Sequence, residues 1–210
     1  MKICGITNET DLTDAVSAGA DAVGFVVGVR SSPRNLSTDK ARSLLAQVPP
    51  FVSGVIVTRE SDPNDLVRLY SSLKPNLLQI YCEISKCKVL LKGLKEVAVI
   101  LGVDAENCSV EDLIEISGSC KAILLDTLST MGCGGTGRVH DWNASRRLRQ
   151  AIDPTAVILA GGLNPENVTE AIRTVEPYAV DVASGVESSL GKKDRAKMIR
   201  FVKNAKSVQI

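Results

Sequence analysis

Short apolar runs alternate along the chain with segments in which apolar and charged residues recur at helical spacing. The apolar runs predict eight β-strands, over residues 2–6, 22–27, 52–57, 77–81, 97–101, 122–126, 156–160 and 179–182. The intervening segments predict helices over residues 11–18, 38–47, 63–73, 110–117, 143–151, 165–173 and 194–206. Ser37, Asp62 and Asn164 stand where N-caps are expected, and residues 83–92 fit neither pattern clearly.

The predicted strands are apolar on both faces and alternate with helices, which indicates a parallel sheet covered on each side. Eight repeats in 210 residues give 210/8, or about 26 residues per unit, close to the shortest unit that builds a barrel. An open dinucleotide-binding sheet would carry Gly-x-Gly-x-x-Gly after its first strand, where this chain has Cys4-Gly5-Ile6-Thr7-Asn8. We therefore predict an α/β fold, a single-domain (βα)8 TIM barrel of near-minimal size over residues 1–210.

The charge balance and composition argue against polymeric partners. Lys plus Arg number 25 and Asp plus Glu number 24, so the formal charge is +1, too balanced to attract nucleic acid or an anionic membrane. Aromatic residues make up 3% of the chain, which leaves little material for stacking on bases. The N-terminus lacks the features of a secretory signal, and no apolar run approaches the roughly 18 residues of a membrane helix. We expect a cytoplasmic protein that binds neither nucleic acid nor membranes.

The six cysteines contain no Cys-x-x-Cys pair, and His140 is the only histidine. This set offers too few well-spaced ligands for zinc, so we expect no metal site. In a reducing compartment most of these cysteines are expected to be free, buried thiols. A thiol-based redox sensor is the alternative, and the missing Cys-x-x-Cys pair argues against it.

Two glycine-containing loops follow the last two predicted strands. Gly161-Gly162 precedes a helix start, and Ser184-Gly185 follows the eighth strand. Residues without side chains leave main-chain N–H groups uncovered, and a helix N-terminus adds partial positive charge, so each loop suits a phosphate group. The loops after strands seven and eight are neighbours in a barrel and form its usual phosphate site. The alternative is that both glycine pairs are plain turns.

Two strand ends carry groups suited to proton transfer. Asp126 closes a fully apolar strand, where a carboxylate is costly to bury and reads as a general acid or base. The alternative is an Asp that accepts hydrogen bonds from nearby loop N–H groups. Cys4 ends the first strand and points into the barrel mouth if the alternation holds. The alternative for Cys4 is a small apolar filler, since a free thiol is only about 3% ionised at pH 7.

Two further loops can complete a site at the same end of the barrel. Residues 131–141 form a long, glycine-rich connection that suits a lid over a substrate. His140, near its end, is expected to be a loop or packing residue. After the second strand, Arg30 or Arg34 is a candidate partner for a substrate carboxylate, and a solvated surface charge is the alternative for each.

Five segments spread over the chain resemble the phosphoribosylanthranilate isomerase family of tryptophan biosynthesis. They are Lys2-Ile3-Cys4-Gly5-Ile6-Thr7 with residues 19–25, Ser32-Pro33-Arg34, residues 124–127 with 134–137, residues 159–168, and Asp181-Val182-Ala183-Ser184-Gly185-Val186-Glu187. The glycine elements alone fit several phosphosugar barrels. The Lys-Ile-Cys-Gly-Ile start is the segment that discriminates among them.

The resemblance implies an isomerase that converts N-(5-phosphoribosyl)anthranilate to 1-(2-carboxyphenylamino)-1-deoxyribulose 5-phosphate by an Amadori rearrangement, without a metal or organic cofactor. Asp126 matches the family's general acid and Cys4 its general base. Arg34 matches the partner of the anthranilate carboxylate, and Gln79 is carried over as a further contact to the anthranilate or ribose. Gly161, Gly162, Ser184 and Gly185 match the residues that bind the substrate phosphate in the family. A small-molecule phosphoribosyl substrate and a monomer or homodimer are expected.

Three positions depart from the family pattern. The fourth strand of the family often ends Gln-x-His-Gly, whereas this chain has Gln79-Ile80-Tyr81-Cys82. His140 stands where the family has an aromatic residue, and Ala183 replaces the first serine of a frequent Ser-Ser-Gly.

Two alternatives to this activity stay open at the level of sequence. A related isomerase of histidine biosynthesis works on a similar barrel but generally with two carboxylates, and Cys4 argues against it. A catalytically silent phosphosugar-binding subunit is the other alternative.

Overall fold

The structure is a computed structural model that describes residues 1–127 and 139–208. Its main strands, β1 to β8, are Lys2–Cys4, Ala22–Val27, Ser53–Thr58, Leu77–Tyr81, Val99–Asp104, Ala122–Asp126, Ala156–Leu159 and Ala179–Val182. The α-helices in these residues, α1 to α8, are Glu9–Ser17, Thr38–Leu45, Pro63–Leu73, Ile84–Lys92, Val110–Ser117, Trp142–Ala151, Val168–Val175 and Arg195–Lys206. Each main strand is followed along the chain by one helix, as the repeat in the sequence predicts.

The eight main strands form one closed barrel in which all neighbours are parallel. Each strand pairs with the next along the chain from β1 to β8. The sheet closes where β8 pairs with β1 and Asp181 aligns with Lys2. A short strand, Asn35–Leu36, extends β2 on its edge, and Glu187–Ser189 pairs antiparallel with Lys192–Lys193 after β8. The prediction of a (βα)8 barrel is confirmed.

Both faces of the barrel sheet are buried. Alternate residues of each strand point to opposite sides of the sheet, so each strand contributes side chains to an outer and an inner apolar cluster. On the outer face, Ile3, Phe25 and Ile56 belong to a large apolar cluster shared with the helices. Full burial of a side chain such as Phe25 contributes about 2–3 kcal/mol to folding. The inner face carries a second apolar cluster, formed by Cys4, Val26, Val55, Val57, Ile100, Ala122, Leu124, Ile158 and Ala160.

Residues 83–92 and the fifth strand are among the segments that differ from their sequence-based assignment. Residues 83–92, which fitted neither pattern clearly, contain helix α4. The fifth strand covers Val99–Asp104 rather than residues 97–101. Its start moves because the N–H of Val97 donates to the carbonyl oxygen of Leu94 and so completes a turn instead of joining the sheet.

The predicted N-caps hold at two of three helices. The side chain of Ser37 accepts the N–H of Lys40, and Asp62 likewise caps α3. The prediction for Asn164 is wrong, because α7 begins at Val168 with Asn167 as its N-cap. The Asn164 carboxamide oxygen instead accepts the N–H groups of Glu166 and Asn167, and so stabilises a turn that precedes the helix.

The expectation of free thiols holds for part of the cysteine set. Cys4, Cys108 and Cys120 are free thiols, and Cys133 lies outside the described residues. Cys82 and Cys87 are joined by a disulfide, which corrects that expectation for these two. The first turn of α4 places Cys87 next to Cys82, which directly follows β4. The two cysteines are five positions apart, so a search for Cys-x-x-Cys does not find the pair.

None of the helices in the described ranges combines the length and apolar character needed to cross a bilayer.

Candidate active site

A cavity opens at the end of the barrel where the carboxyl ends of the strands meet. Six of the eight residues predicted for the site line it: Cys4, Arg34, Asp126, Gly161, Gly162 and Ser184. Gln79 and Gly185 are not among the described residues of its wall. Side chains from both ends of the chain thus converge on one space.

Cys4 projects into the barrel from the end of β1 and is 7% exposed. Its neighbour across the sheet is Gly24, which leaves the space that the thiol occupies. A Cβ atom on Gly24 would lie 2.8 Å from Cys4 Sγ and 3.1 Å from Lys2 Cε. The two side chains of β1 therefore meet in the gap that this glycine provides.

Lys2 lies two residues before Cys4 on the same side of β1, and the sequence did not single it out as part of the site. Its Nζ donates a hydrogen bond of 2.8 Å to Oδ2 of Asp181, and both side chains are buried. Burial alone would lower the pKa of Lys2, but Asp181 and Cys4 raise it above the ordinary value. Lys2 is therefore an ammonium group beside the Cys4 sulfur.

The Cys4 thiol experiences opposing influences. Burial is the largest and raises its pKa, and the nearby Asp181 carboxylate acts in the same direction. The ammonium groups of Lys2 and Lys193 lower the pKa and offset part of that rise. The net pKa lies above the ordinary value, so the resting site holds Cys4 mainly as a thiol at neutral pH.

Asp126 ends β6 and lines the same cavity as Cys4. Burial raises the pKa of its carboxyl group, while a hydrogen bond from Tyr81 lowers it, and the net shift is upward. The raised pKa favours the neutral acid, which is the form that a proton donor needs.

Gln79 and Tyr81 lie on the same side of β4, one behind the other. Gln79 is fully buried, and its Nε2 donates a hydrogen bond of 3.0 Å to the Tyr81 hydroxyl. Tyr81 lines the cavity and donates in turn to Oδ2 of Asp126, also at 3.0 Å. The structure thus places Gln79 behind Tyr81 rather than on the cavity wall.

Arg34 is 5% exposed, which excludes a solvated surface charge at this position. Its guanidinium forms a two-pronged ion pair with Glu187, with Nε–Oε1 and Nη2–Oε2 distances of 2.7 Å each. Gly5 makes room for the side chain, since a Cβ there would lie 2.4 Å from Arg34 Cδ. Arg30, by contrast, is exposed. Of the two candidate arginines, the structure brings Arg34 to the cavity.

Glu187 is a second residue that sequence reasoning left without a role. Burial alone would raise the pKa of its carboxyl, but Arg34 and Lys193 lower it below the ordinary value. Lys193 Nζ lies 3.1 Å from Glu187 Oε1 and also donates to the carbonyl oxygen of Ala183. This buried network joins the wall that carries Arg34 to the loop that carries Ser184.

The two glycine loops meet at the cavity as predicted. Gly161 and Gly162 have φ angles of +83° and +66°, in the left-handed region that favours glycine. Gly185 lies in a short 3-10 turn, and a Cβ there would lie 1.9 Å from the carbonyl oxygen of Leu163. Its missing side chain lets the loop after β8 pack directly on the loop after β7.

His140 is buried, with Nδ1 2.9 Å from Thr127 Oγ1 and Nε2 2.6 Å from Ser145 Oγ. Burial lowers its pKa, so the ring is neutral. This agrees with a packing role.

The predicted lid falls largely on residues 128–138, which lie outside the described residues. Residues 1–127 and 139–208 contain no group of three or more His, Cys, Asp or Glu arranged to hold a metal ion.

Comparison with known proteins identifies the family. Residues 1–204 match the family model described as N-(5'-phosphoribosyl)anthranilate (PRA) isomerase. The chain belongs to the phosphoribosylanthranilate isomerase family. N-(5'-phosphoribosyl)anthranilate isomerase of Methanothrix thermoacetophila is 42% identical over 210 residues, covering 100% of this chain and 99% of that protein. The Haloferax volcanii isomerase is 44% identical over 211 residues, covering 100% and 94% respectively.

Solved structures of the phosphoribosylanthranilate isomerase family share the fold. The Thermotoga maritima enzyme has a TM-score of 0.80 and 38% identity, with 99% of this chain and 98% of that chain covered. A phosphoribosyl anthranilate isomerase in complex with reduced 1-(o-carboxyphenylamino)-1-deoxyribulose 5-phosphate has a TM-score of 0.78 and 35% identity, with the same coverage. The predictions that the chain is an enzyme, an isomerase of tryptophan biosynthesis and a TIM barrel are confirmed.

Proposed function

We propose that the chain converts N-(5-phosphoribosyl)anthranilate to 1-(2-carboxyphenylamino)-1-deoxyribulose 5-phosphate by an Amadori rearrangement. The observation that carries this proposal is the convergence of the Cys4 thiol, the Asp126 carboxyl and the two glycine loops on one cavity. An aldose-to-ketose rearrangement needs one acid and one base on the reacting carbons, and a phosphate handle fixes their orientation. The cavity offers groups for all three tasks.

Asp126 acts first, as the general acid. Its neutral carboxyl donates a proton to the furanose ring oxygen, the bond from that oxygen to C1′ breaks, and the anthranilate nitrogen lone pair forms a C=N bond. The product of this step is an open-chain, protonated Schiff base and an Asp126 carboxylate. The raised pKa of Asp126 supports this role, because it shifts the equilibrium towards the protonated donor.

Cys4 then acts as the general base. Its thiolate removes the proton from C2′, and the electrons of that C–H bond form a C1′=C2′ bond while the C=N electrons return to nitrogen. The enol at C2′ becomes the ketone as C1′ gains a proton from water and the C2′ hydroxyl loses its proton to water. The proton that Cys4 took replaces the one that Asp126 gave up, so both residues return to their starting states. Lys2 supports the base, because its ammonium lowers the pKa of the thiol and stabilises the thiolate.

The remaining wall residues bind the two ends of the substrate. Bare N–H groups of the loops at Gly161, Gly162, Ser184 and Gly185 hold the phosphate, and Arg34 binds the anthranilate carboxylate from the fixed position that Glu187 gives it. A direct contact from Gln79 to the substrate stays a prediction, and its position behind Tyr81 favours an indirect role. A monomeric or homodimeric state and a cytoplasmic location likewise stay predictions.

The experiment that tests this function follows the fluorescence of N-(5-phosphoribosyl)anthranilate during turnover by the purified protein. We expect wild type to consume the substrate, and Cys4→Ser and Asp126→Asn each to lower kcat at least about 100-fold. Both substitutions keep a side chain of similar size, so we expect both variants to fold. Circular dichroism checks that they do. Near wild-type rates for both folded variants would refute the residue roles.

The same preparation should be assayed with the phosphoribosyl-imidazolecarboxamide substrate of histidine biosynthesis. Turnover of that substrate alone would replace the proposal with the related isomerase. Tight binding of both substrates without turnover would replace it with a non-catalytic subunit.

A further inference from the structure

A chain of two hydrogen bonds runs from the buried interior of the barrel to the proposed acid. Gln79 donates to the Tyr81 hydroxyl oxygen at 3.0 Å, and Tyr81 donates to Oδ2 of Asp126 at 3.0 Å. The three residues come from two strands and are up to 47 positions apart, since 126 − 79 = 47. Neither bond is required to form the barrel, because all three side chains project inward from strands that the backbone already pairs.

The position of the tyrosine ring is fixed by the strand beside it. Tyr81 pairs with Gly102 of β5, and a Cβ on Gly102 would lie 2.4 Å from Cε1 of the ring. On the cavity side, the guanidinium of Arg59 lies 5.9 Å from the ring centroid, within range of a cation–π interaction. The phenol ring therefore lies between Gly102, which has no side chain to displace it, and the Arg59 guanidinium, and its hydroxyl is directed at Asp126.

The phenol has one hydrogen to donate, and the geometry assigns it to Oδ2 of Asp126. An oxygen that accepts this hydrogen bond is the weaker candidate to carry the proton of the neutral acid. The proton then resides on Oδ1, the other carboxyl oxygen. Burial is the largest cause that holds the pKa of Tyr81 well above its ordinary value, so the phenol stays a donor throughout the working pH range.

We propose that Tyr81, supported by Gln79, is a positioning residue that keeps the transferable proton of Asp126 on Oδ1, the carboxyl oxygen that the phenol does not contact. This proposal rests on the role of Asp126 in the proposed function. It also gives Gln79 a task other than the substrate contact expected from sequence. Tyr81 stands at the position where the sequence resemblance leads us to expect histidine.

Several charged or titratable groups act on Asp126 besides Tyr81. Lys2 on β1 lowers its pKa, and Asp181 on β8 raises it. Cys4 on β1 lies on the same cavity wall, and Asp104 of β5 is aligned with Asp126 across the sheet. The test must therefore change the Tyr81 hydroxyl and leave these groups in place.

Tyr81→Phe removes only the hydroxyl. We expect kcat to fall about tenfold with KM changed less than about twofold, because substrate binding is kept and the acid loses its orientation. Tyr81→His restores a donor and should recover part of the lost rate. Gln79→Met removes the hydrogen bond from Gln79 to the Tyr81 hydroxyl. It should lower kcat less than Tyr81→Phe does.

The pH profile separates positioning from a general structural defect. A thiol ordinarily titrates about 4–5 pH units above a carboxylic acid, so the lower break in the kcat/KM profile reports Asp126 and the upper break reports Cys4. The Tyr81 hydrogen bond stabilises the carboxylate, so its removal raises the pKa of Asp126. We expect the lower break of Tyr81→Phe to move up by about one pH unit and the upper break to stay.

Tyr178→Phe is the matched control, since Tyr178 is 81% exposed and remote from the cavity wall. A wild-type kcat and an unmoved lower break in folded Tyr81→Phe would overturn the proposal. A tenfold rise in KM with unchanged kcat in Gln79→Met would also overturn it, in favour of a direct contact between Gln79 and substrate. Failure of the proposed function shows differently, because wild type itself would then lack isomerase activity.

Discussion

The Nζ atom of Lys2 lies 2.8 Å from Oδ2 of Asp181, and this buried ion pair flanks the Cys4 thiol at the strand junction that closes the barrel. Lys2 and Cys4 share the inner side of β1, and Asp181 comes from β8, 179 positions away in sequence. The junction therefore determines the electrostatic environment of the proposed base. Lys2 lowers the pKa of Cys4, whereas burial, the largest influence, and Asp181 raise it, so Lys2 offsets part of the cost of forming the thiolate.

Lys2→Met keeps the side-chain length and removes the ammonium. The pKa of Cys4 should rise by about one pH unit, which lowers the thiolate fraction and kcat/KM about tenfold at neutral pH. Alkylation of Cys4 by iodoacetamide, followed by mass spectrometry as a function of pH, measures this shift directly. Cys108, whose pKa burial raises to about 11, is the internal reference.

The double variant Lys2→Met/Asp181→Asn controls for the carboxylate that Lys2→Met leaves unpaired. Breaking a buried ion pair costs about 3–5 kcal/mol, so urea unfolding should show the single variant destabilised and the double variant partly recovered. The Cys4 pKa should stay above its wild-type value in the double variant, because Lys2 lowers that pKa more strongly than Asp181 raises it. An unchanged alkylation profile in folded Lys2→Met would contradict the role of Lys2.

Arg34→Lys tests the proposed carboxylate partner. A lysine keeps the charge but cannot reproduce the two-pronged contact that fixes the guanidinium against Glu187. We expect KM to rise about tenfold or more and kcat to change less than about threefold, since the aryl carboxylate lies away from the reacting carbons. Steady-state kinetics measure both, and Arg30→Lys, at an exposed position, should behave as wild type. Equal KM values for Arg34→Lys and wild type would exclude this contact.

Gly185→Ala tests the phosphate cradle. The added methyl group would lie 1.9 Å from the Leu163 carbonyl oxygen, so the loops after β7 and β8 must separate. Competitive inhibition by inorganic phosphate should weaken about tenfold as the N–H groups lose their convergence. Gly118→Ala is the matched control, because a Cβ at Gly118 meets no atom within 4 Å. A wild-type inhibition constant for Gly185→Ala would place phosphate binding elsewhere.

The fold and the position of Cys4 could be predicted because both depend on local periodicity. Period-two alternation along β1 determines that Cys4 shares a side with Lys2 and opposes Ile3, and the structure places Cys4 inside the barrel. The same alternation could have revealed Lys2 as an inward-facing residue. Its burial went unexpected because the stabilising partner, Asp181, is distant in sequence and an unpaired buried lysine is unfavourable.

Other features of the site depend on contacts that no local pattern encodes. The ion pair between Arg34 and Glu187 joins residues 153 positions apart. The position of Tyr81 depends on Gly102 being the residue opposite it, which requires the register of two strands. The disulfide between Cys82 and Cys87 depends on how α4 folds back on β4. Each becomes visible only when the strands and helices are assembled.

The most direct test of the account is a crystal structure of this chain with reduced 1-(o-carboxyphenylamino)-1-deoxyribulose 5-phosphate bound. The account predicts Cys4 Sγ within about 3.5 Å of the C2 carbon of the sugar chain and an Asp126 carboxyl oxygen within about 3.5 Å of the hydroxyl derived from the ring oxygen. It also predicts the phosphate on the loops at Gly162 and Ser184. A ligand that contacts Cys4 and Asp126 on unrelated atoms, or that leaves either residue out of reach, would contradict it.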